Sequence, residues 1–184
     1  MRVISGILKG RIIKGFDIDG TRPTMDRVKE SIFASIQDYV DGAVVLDLFA
    51  GSGNLGIEAI SNGASEAYFV DKNPICIKAI RDNINDFNIS FKCVVVKNDY
   101  VDAIGNFKKK GIKFDIIFID PPYKYCIKKD VLGLIMESGI LSDNGIVVYE
   151  YQGDENSLEY DGLILVRDKK YGDKYVSIYK KDRE

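Results

Sequence analysis

The sequence predicts a doubly wound α/β fold with a mostly parallel, seven-stranded sheet, preceded by a small N-terminal β-hairpin plus helix extension. Three observations carry this prediction. From about residue 43, β-like apolar runs alternate with segments of helical period, the pattern of a parallel sheet covered on both faces. The first of those runs ends in Gly51-Ser52-Gly53, a tight turn leading into a helix. The last two runs follow one another without a helical pattern between them, which predicts an antiparallel hairpin at the C-terminal end of the sheet. A length of 184 residues, 46% apolar and 29% charged, suits one compact unit rather than two.

Residues 1–14 hold Arg2, Lys9, Arg11 and Lys14 and no acid, so they carry +4 in a chain whose formal net charge is -2. Two short β-like runs around Gly10 predict a basic hairpin, suited either to phosphate contact or to a solvated edge whose lysines discourage sheet pairing. Thr21-Arg22-Pro23-Thr24 leads into a helix with Met25, Val28, Ile32, Ile36 and Tyr39 on one apolar stripe. Thr24 is its expected N-cap, and Asp26 lies near its positive end. Residues 1–40 are read as the extension and residues 41–184 as the main unit.

In the main unit, Val44–Phe49 predicts the first strand, Asn54–Asn62 a helix and Ala67–Asp71 the second strand. Asn73-Pro74 offers an N-cap followed by proline at the first helical position, and Ile77, Ile80, Ile84 and Phe87 then recur with helical spacing. A third strand is expected at Phe91–Val96, a helix at Tyr100–Lys109, a fourth strand at Phe114–Ile119 and a helix at Lys128–Ser138. Ile146–Tyr149, Leu163–Val166 and Val176–Tyr179 complete the strands. The acidic and polar residues 153–162 read as a loop.

Composition excludes several chemistries. The chain has no histidine, which removes Ser-His-Asp and Cys-His catalysis, histidine bases and His-ligated metals. Cys76, Cys93 and Cys126 are odd in number and never spaced as CxxC, so buried free thiols are expected and no metal site is. No apolar stretch reaches signal-peptide or membrane-span length, and a cytoplasmic protein is expected. A pI of about 5.4 lacks the overall basic field of a protein that coats nucleic acid. Any such contact must come from local patches.

Two motifs carry chemistry. Gly51-Ser52-Gly53-Asn54-Leu55-Gly56 matches GxGxxG between a strand and a helix, where glycine lets a ligand approach the backbone and free N–H groups sit beside it. Asp71 ends the second strand 20 residues after Gly51, placed to accept hydrogen bonds from two ribose hydroxyls. That arrangement binds NAD as readily as S-adenosylmethionine. Asp47 lies just upstream, where it either orients the loop or accepts from a cationic ligand amine. Its charge suits the ammonium and sulfonium of S-adenosylmethionine and repels a pyrophosphate.

In Asp120-Pro121-Pro122-Tyr123 a carboxylate ends a strand, two prolines stiffen the chain, and an aromatic ring follows. The nitrogen of a nucleobase amino group is a poor nucleophile because its lone pair is delocalised. If Asp120 and the Pro121 carbonyl each accept one N–H, that lone pair localises and points at an electrophilic methyl. Tyr123 can stack on an extruded base.

The chain resembles the RsmD family of ribosomal RNA guanine-N2 methyltransferases, a class I S-adenosylmethionine-dependent group. The matching segments are Arg2 with Gly6 and Lys9-Gly10-Arg11; Arg22-Pro23-Thr24 with Asp26-Arg27-Val28-Lys29-Glu30; Leu46 to Gly53 with Leu55-Gly56-Ile57-Glu58; and Asp120-Pro121-Pro122-Tyr123. The resemblance implies methylation of a guanine 2-amino group in small-subunit ribosomal RNA with S-adenosylmethionine as donor. It places Asp47, Phe49, Gly51, Gly53, Asp71 and Asp99 at the cofactor, with Arg22 and Thr24 folding over it. Asp120, Pro121 and Tyr123 then handle the base, and Arg2, Lys9, Arg11 and Arg27 meet RNA. Asn54 stands where alanine is expected and Met25 where a small polar residue is, neither in a charge-bearing role. The low pI points to a partly assembled subunit as substrate, and a monomer is expected. A DNA adenine or cytosine amino-methyltransferase, an NAD-dependent oxidoreductase and a non-catalytic ribosome-assembly module are the alternatives. Lys169-Lys170-Tyr171-Gly172 reads as an RNA-facing turn or a charged hairpin tip.

Overall fold

The computed structural model describes residues 1–15, 23–121, 128–152 and 160–182, with the side chains of 23–25, 128–130 and 152 outside the description. Helix α1 spans Pro23–Val40. Alternating elements follow: β1 (Val44–Asp47), α2 (Asn54–Ser61), β2 (Glu66–Asp71), α3 (Pro74–Asp86), β3 (Cys93–Lys97), α4 (Tyr100–Lys110), β4 (Phe114–Ile119) and α5 (Lys128–Ser138). Three strands close the chain: β5 (Leu141–Gln152), β6 (Leu163–Tyr171) and β7 (Lys174–Lys181). They form one seven-stranded sheet in the order β3-β2-β1-β4-β5-β7-β6. The pairs β2/β3, β1/β2, β1/β4 and β4/β5 are parallel, and β7 is antiparallel to both β5 and β6.

Alternation along the strands divides the core in two. Val45, Phe69, Ile116 and Val148 face Ile32 of α1, Ile57 of α2 and Ile80 of α3. Leu46, Val70, Ile117 and Val147 face Ile104 of α4 and Leu132 of α5. The doubly wound expectation holds; α1 begins at Pro23, so Thr24 lies inside it rather than at the expected N-cap, whereas α3 starts as expected. Asn73 accepts a hydrogen bond from the Ile75 amide at 2.9 Å, ahead of Pro74, and Ile77, Ile80 and Ile84 are buried.

Several boundaries differ from the sequence reading. Strand β1 stops at Asp47, although the Leu48 amide still donates to Phe118 O at 3.1 Å. Phe91 does not open a strand: it sits in a 3-10 turn, Ser90–Lys92, with 82% of its surface exposed. Strands β5, β6 and β7 are longer than their apolar cores, because polar residues at both ends continue the ladder. Lys169 and Lys170 therefore lie within β6, and the turn to β7 falls at residues 172–173.

The N-terminal segment pairs antiparallel, but as a single bridge, Arg2 with Ile12, around a 3-10 turn at Gly6–Leu8. Gly10 lies inside the pairing, its amide donating to Val3 O at 2.9 Å, rather than at the tip. Val3, Leu8 and Ile13 are buried in the same core cluster as α1 and α2. Gly6 has φ +75°, and a Cβ there would stand 1.8 Å from Ser61 O, so no other residue fits. Cys76 is buried and Cys93 half-buried, and burial pushes both thiols up to about 12. Cys126 lies outside the described residues.

Candidate active site

Connections run outward from β1 to β2 and β3 on one side and to β4 and β5 on the other, leaving a crevice beyond the strand ends where the order reverses. The glycine turn lines it. Gly51 has φ +54° and Gly53 φ +83°, both left-handed, and Gly53 occupies the N-cap of α2. A Cβ on Gly51 would meet nothing within 4 Å, whereas one on Gly56 would stand 2.3 Å from the Phe69 ring. The first glycine therefore leaves open space for a ligand, and the third lets α2 pack on β2.

Two carboxylates shape this turn. Asp71 accepts from the Gly51 amide at 3.0 Å through Oδ2 and from the Asn73 amide at 2.8 Å through Oδ1. It is half-buried, with lone pairs remaining for hydroxyl donors. Asp47 is 2% exposed, and its Oδ2 accepts from the Gly56 amide at 3.0 Å. Of its two expected roles, the loop-orienting one is thus present in the structure. Burial pushes the Asp47 carboxyl up to about 7, against the opposing effect of the Gly56 hydrogen bond. Asp99 N-caps α4 by accepting from the Val101 amide at 3.1 Å. Half-buried Phe49 packs 5.3 Å from the ring of Tyr100.

Asp120 follows the last residue of β4, on the far side of β1 from Asp71. Burial pushes its carboxyl up to about 8; Glu150 and Asp47 add to the rise and Lys174 opposes it. Lys174 and Glu150 form an ion pair. Pro121 continues from Asp120 and is half-buried. Arg22 and Tyr123 lie outside the described residues, as does the side chain of Thr24.

A polar network that the sequence reading did not foresee ties the N-terminal segment to this crevice. Lys29 of α1 and Glu58 of α2 are 2% and 0% exposed and meet at 2.7 Å. Lys29 Nζ also donates to Arg2 O at 2.6 Å and to Asn54 Oδ1 at 2.8 Å, which engages all three of its N–H groups. Asn54, read as a departure outside any charge-bearing role, holds a buried ammonium. Glu58 accepts from the Ile4 and Ser5 amides at 2.9 Å and from Ser5 Oγ at 3.0 Å. Asn83 of α3, fully buried, accepts from the Lys14 amide at 2.9 Å. It donates to Lys14 O at 2.8 Å and to Ser52 O of the glycine turn at 3.0 Å. Lys29 and Glu58 were visible only as members of motif segments, since spacing alone assigns charged helical residues to the surface.

Arg2, Lys9, Arg11, Lys14 and Arg27 are exposed, and three of the five have partners within the chain. Arg2 lies 3.4 Å from Asp26, and Lys14 lies 2.5 Å from Asp86. Arg11 donates to Asp86 O at 2.7 Å and stacks 4.7 Å above the Phe87 ring. Lys9 and Arg27 are exposed, and among the described residues neither has a side-chain partner.

The chain is similar to known proteins over nearly its whole length. It is 43% identical over 182 residues to the putative rRNA methyltransferase YlbH of Bacillus subtilis, covering 98% of this chain and 99% of that one. It is 31% identical to ribosomal RNA small subunit methyltransferase D of Escherichia coli, across 82% of this chain and 74% of the relative. Among solved structures, the putative methyltransferase yhhF from Escherichia coli superimposes with a TM-score of 0.86 at 27% identity, over 100% of this chain and 99% of that one. With residues 1–180 matching the family described as Conserved hypothetical protein 95, and the seven-stranded order in place, the chain belongs to that family of RsmD-type class I methyltransferases.

Proposed function

We propose that this chain methylates the exocyclic N2 amino group of a guanine in small-subunit ribosomal RNA, with S-adenosylmethionine as methyl donor. The substrate is a partly assembled subunit in the cytoplasm. The observation that carries this reading is the shared rim: the glycine cradle at the end of β1 and Asp120-Pro121 at the end of β4 lie on neighbouring parallel strands. The kinship with small-subunit rRNA methyltransferases supports the RNA substrate.

The site's donors and acceptors fit the cofactor. Gly51 leaves the space, Asp71 accepts from ribose hydroxyls, Asp47 orders the turn through the Gly56 amide, and Phe49 and Asp99 border the remaining wall. S-adenosylmethionine, when bound, supplies a methyl already activated by its positive sulfur. Asp120 and the Pro121 carbonyl accept the two N–H groups of the guanine amine and turn its lone pair outward. As the nitrogen gains its bond to carbon it becomes cationic and acidic, and its extra proton passes to Asp120 or to water.

The test is transfer of labelled methyl to purified small subunits that lack the modification, followed by mapping of the product. N2-methylguanine at one position is expected, and methylated adenine or cytosine would refute the guanine assignment. Asp120→Ala is expected to lose transfer while its affinity for S-adenosylmethionine stays near wild type.

A further inference from the structure

Asp120 stands beside a sheltered ion pair that the methyl-transfer chemistry leaves without a task. In the parallel pair of β4 and β5, Ile119 lies opposite Tyr149, so Asp120 and Glu150 are the next residues on adjacent strands and share a face. In β7, Val176 lies opposite Glu150 and Lys174 two residues before it, on that same face. Lys174 and Glu150 are ion-paired with side chains only 16% and 11% exposed. A surface pair of this kind contributes little to stability, but one partly withdrawn from water acts strongly on a neighbouring charge. Among the described residues, the charges bearing on Asp120 are Glu150 from β5, Asp47 from β1 and Lys174 from β7. Of these described charges, Lys174 alone attracts it.

Asp120 must be ionised to serve the amine. A protonated carboxyl presents an O–H that competes with the N–H it should accept, and it cannot take the proton released after transfer. Two neighbouring carboxylates and burial all act against ionisation. We propose that Lys174, anchored by Glu150, is a positioning residue that draws Asp120 toward its ionised form and aims it at the target amine. Glu150 thus has a double effect: its charge repels Asp120, while its ion pair places the ammonium that compensates. The proposal rests on the methyl-transfer reading of the site.

The test uses the full chain with Lys174→Met, Lys174→Arg and Glu150→Gln, and two readouts. One is the side-chain carboxyl titration of Asp120 by carbon-13 NMR in the free protein, assigned through Asp120→Asn. The other is the pH dependence of methyl transfer to unmodified small subunits. Lys174→Met is expected to move the Asp120 midpoint, and with it the acid limb of the rate profile, upward by about one pH unit. Glu150→Gln should move both downward by a smaller amount, because the repelling charge and the anchor of the ammonium are lost together, and Lys174→Arg should restore the wild-type profile. Shifts in the same direction for Lys174→Met and Glu150→Gln, or an unmoved midpoint, would overturn the proposal. A wild-type chain that transfers no methyl to subunits refutes the functional reading instead, and the NMR titration still decides the role of Lys174. Should Lys174→Met not fold, Lys174→Gln, which also removes the charge, takes its place under the same criteria.

Discussion

Replacing Lys29 by Met tests whether the buried network holds the N-terminal segment onto the crevice. Lys29 Nζ sits 2.7 Å from Glu58 Oε2, 2.6 Å from Arg2 O and 2.8 Å from Asn54 Oδ1. At that ion-pair distance an effective dielectric of about 20 gives a gross attraction of about 6 kcal/mol. Bringing the ammonium out of water offsets much of it, and burial accordingly lowers the Lys29 pKa while Glu58 raises it. Methionine removes this cost but leaves Glu58, fully buried, without its counter-ion, and strips Arg2 O and Asn54 Oδ1 of a donor. Breaking one side of a buried pair costs about 3–5 kcal/mol, which in a chain of this size lowers Tm by about 10 °C. Thermal melts followed by circular dichroism measure this directly. Amide exchange adds a local check: Glu58 keeps its bonds to the Ile4 and Ser5 amides in Lys29→Met, so those amides should stay protected up to the lower global stability. In Glu58→Gln one acceptor oxygen is replaced by a donor, and both amides should exchange faster. A Lys29→Met protein melting within about 2 °C of wild type would show that the network contributes nothing of note.

The two glycines of the turn should respond in opposite ways. Gly51→Ala adds a methyl to open space at φ +54°, so it should lower stability by about 1 kcal/mol and weaken S-adenosylmethionine binding in calorimetry. Gly56→Ala drives a methyl into the Phe69 ring and should destabilise by several times as much; equal stability losses would contradict this division. Asp120→Asn should be the more stable protein where wild type carries its charge. The Asp120 carboxyl is pushed up to about 8 in the folded chain, against about 3.9 when unfolded. Between those values the folded chain binds the extra proton, so wild-type stability falls with rising pH while the Asn variant lacks that loss. The Tm advantage of Asp120→Asn should therefore grow from about pH 5 to about pH 8 and then level off, and a gap that does not change with pH would refute it.

The parts of this molecule that were legible in its sequence are those set by local chemistry. Asn73-Pro74 started α3 where a cap and a fixed φ require it, and the glycines placed the turn between β1 and α2. Apolar periodicity found every strand core, but not strand ends. Ser142, Asp143 and Asn144 extend β5 at its start, and Arg167 to Lys170 extend β6 along an exposed edge, where polar side chains are tolerated because one side meets water. Phe91 misled for the opposite reason. An apolar residue next to a strand reads as part of it, whereas the backbone from Ser90 to Lys92 turns before the ladder begins at Cys93. In the site, Asp47, Asp71 and Asp120 were placed by their positions at strand ends. The partners of Lys29, Asn54 and Asn83 depend on which helices pack together, and that is invisible to spacing.

Those three residues also explain why the extension bears on the crevice at all. Residues 1–15 have few ordinary strand contacts to hold them: one bridge and a short turn. Buried polar side chains reinforce the packing of Val3, Leu8 and Ile13. Glu58 grips the backbone at Ile4 and Ser5 from α2, and Asn83 grips both backbone groups of Lys14 from α3. Each grip continues into the glycine turn or the helix it starts, through Lys29 to Asn54 and through Asn83 to Ser52. A buried polar group without partners is costly, so neither grip can be released without exposing groups on the crevice side as well. The surface that carries Lys9 and Arg11 is thereby fixed relative to the turn that faces the cofactor. A displacement of the basic segment therefore bears on Asn54 and Ser52, which line the glycine turn.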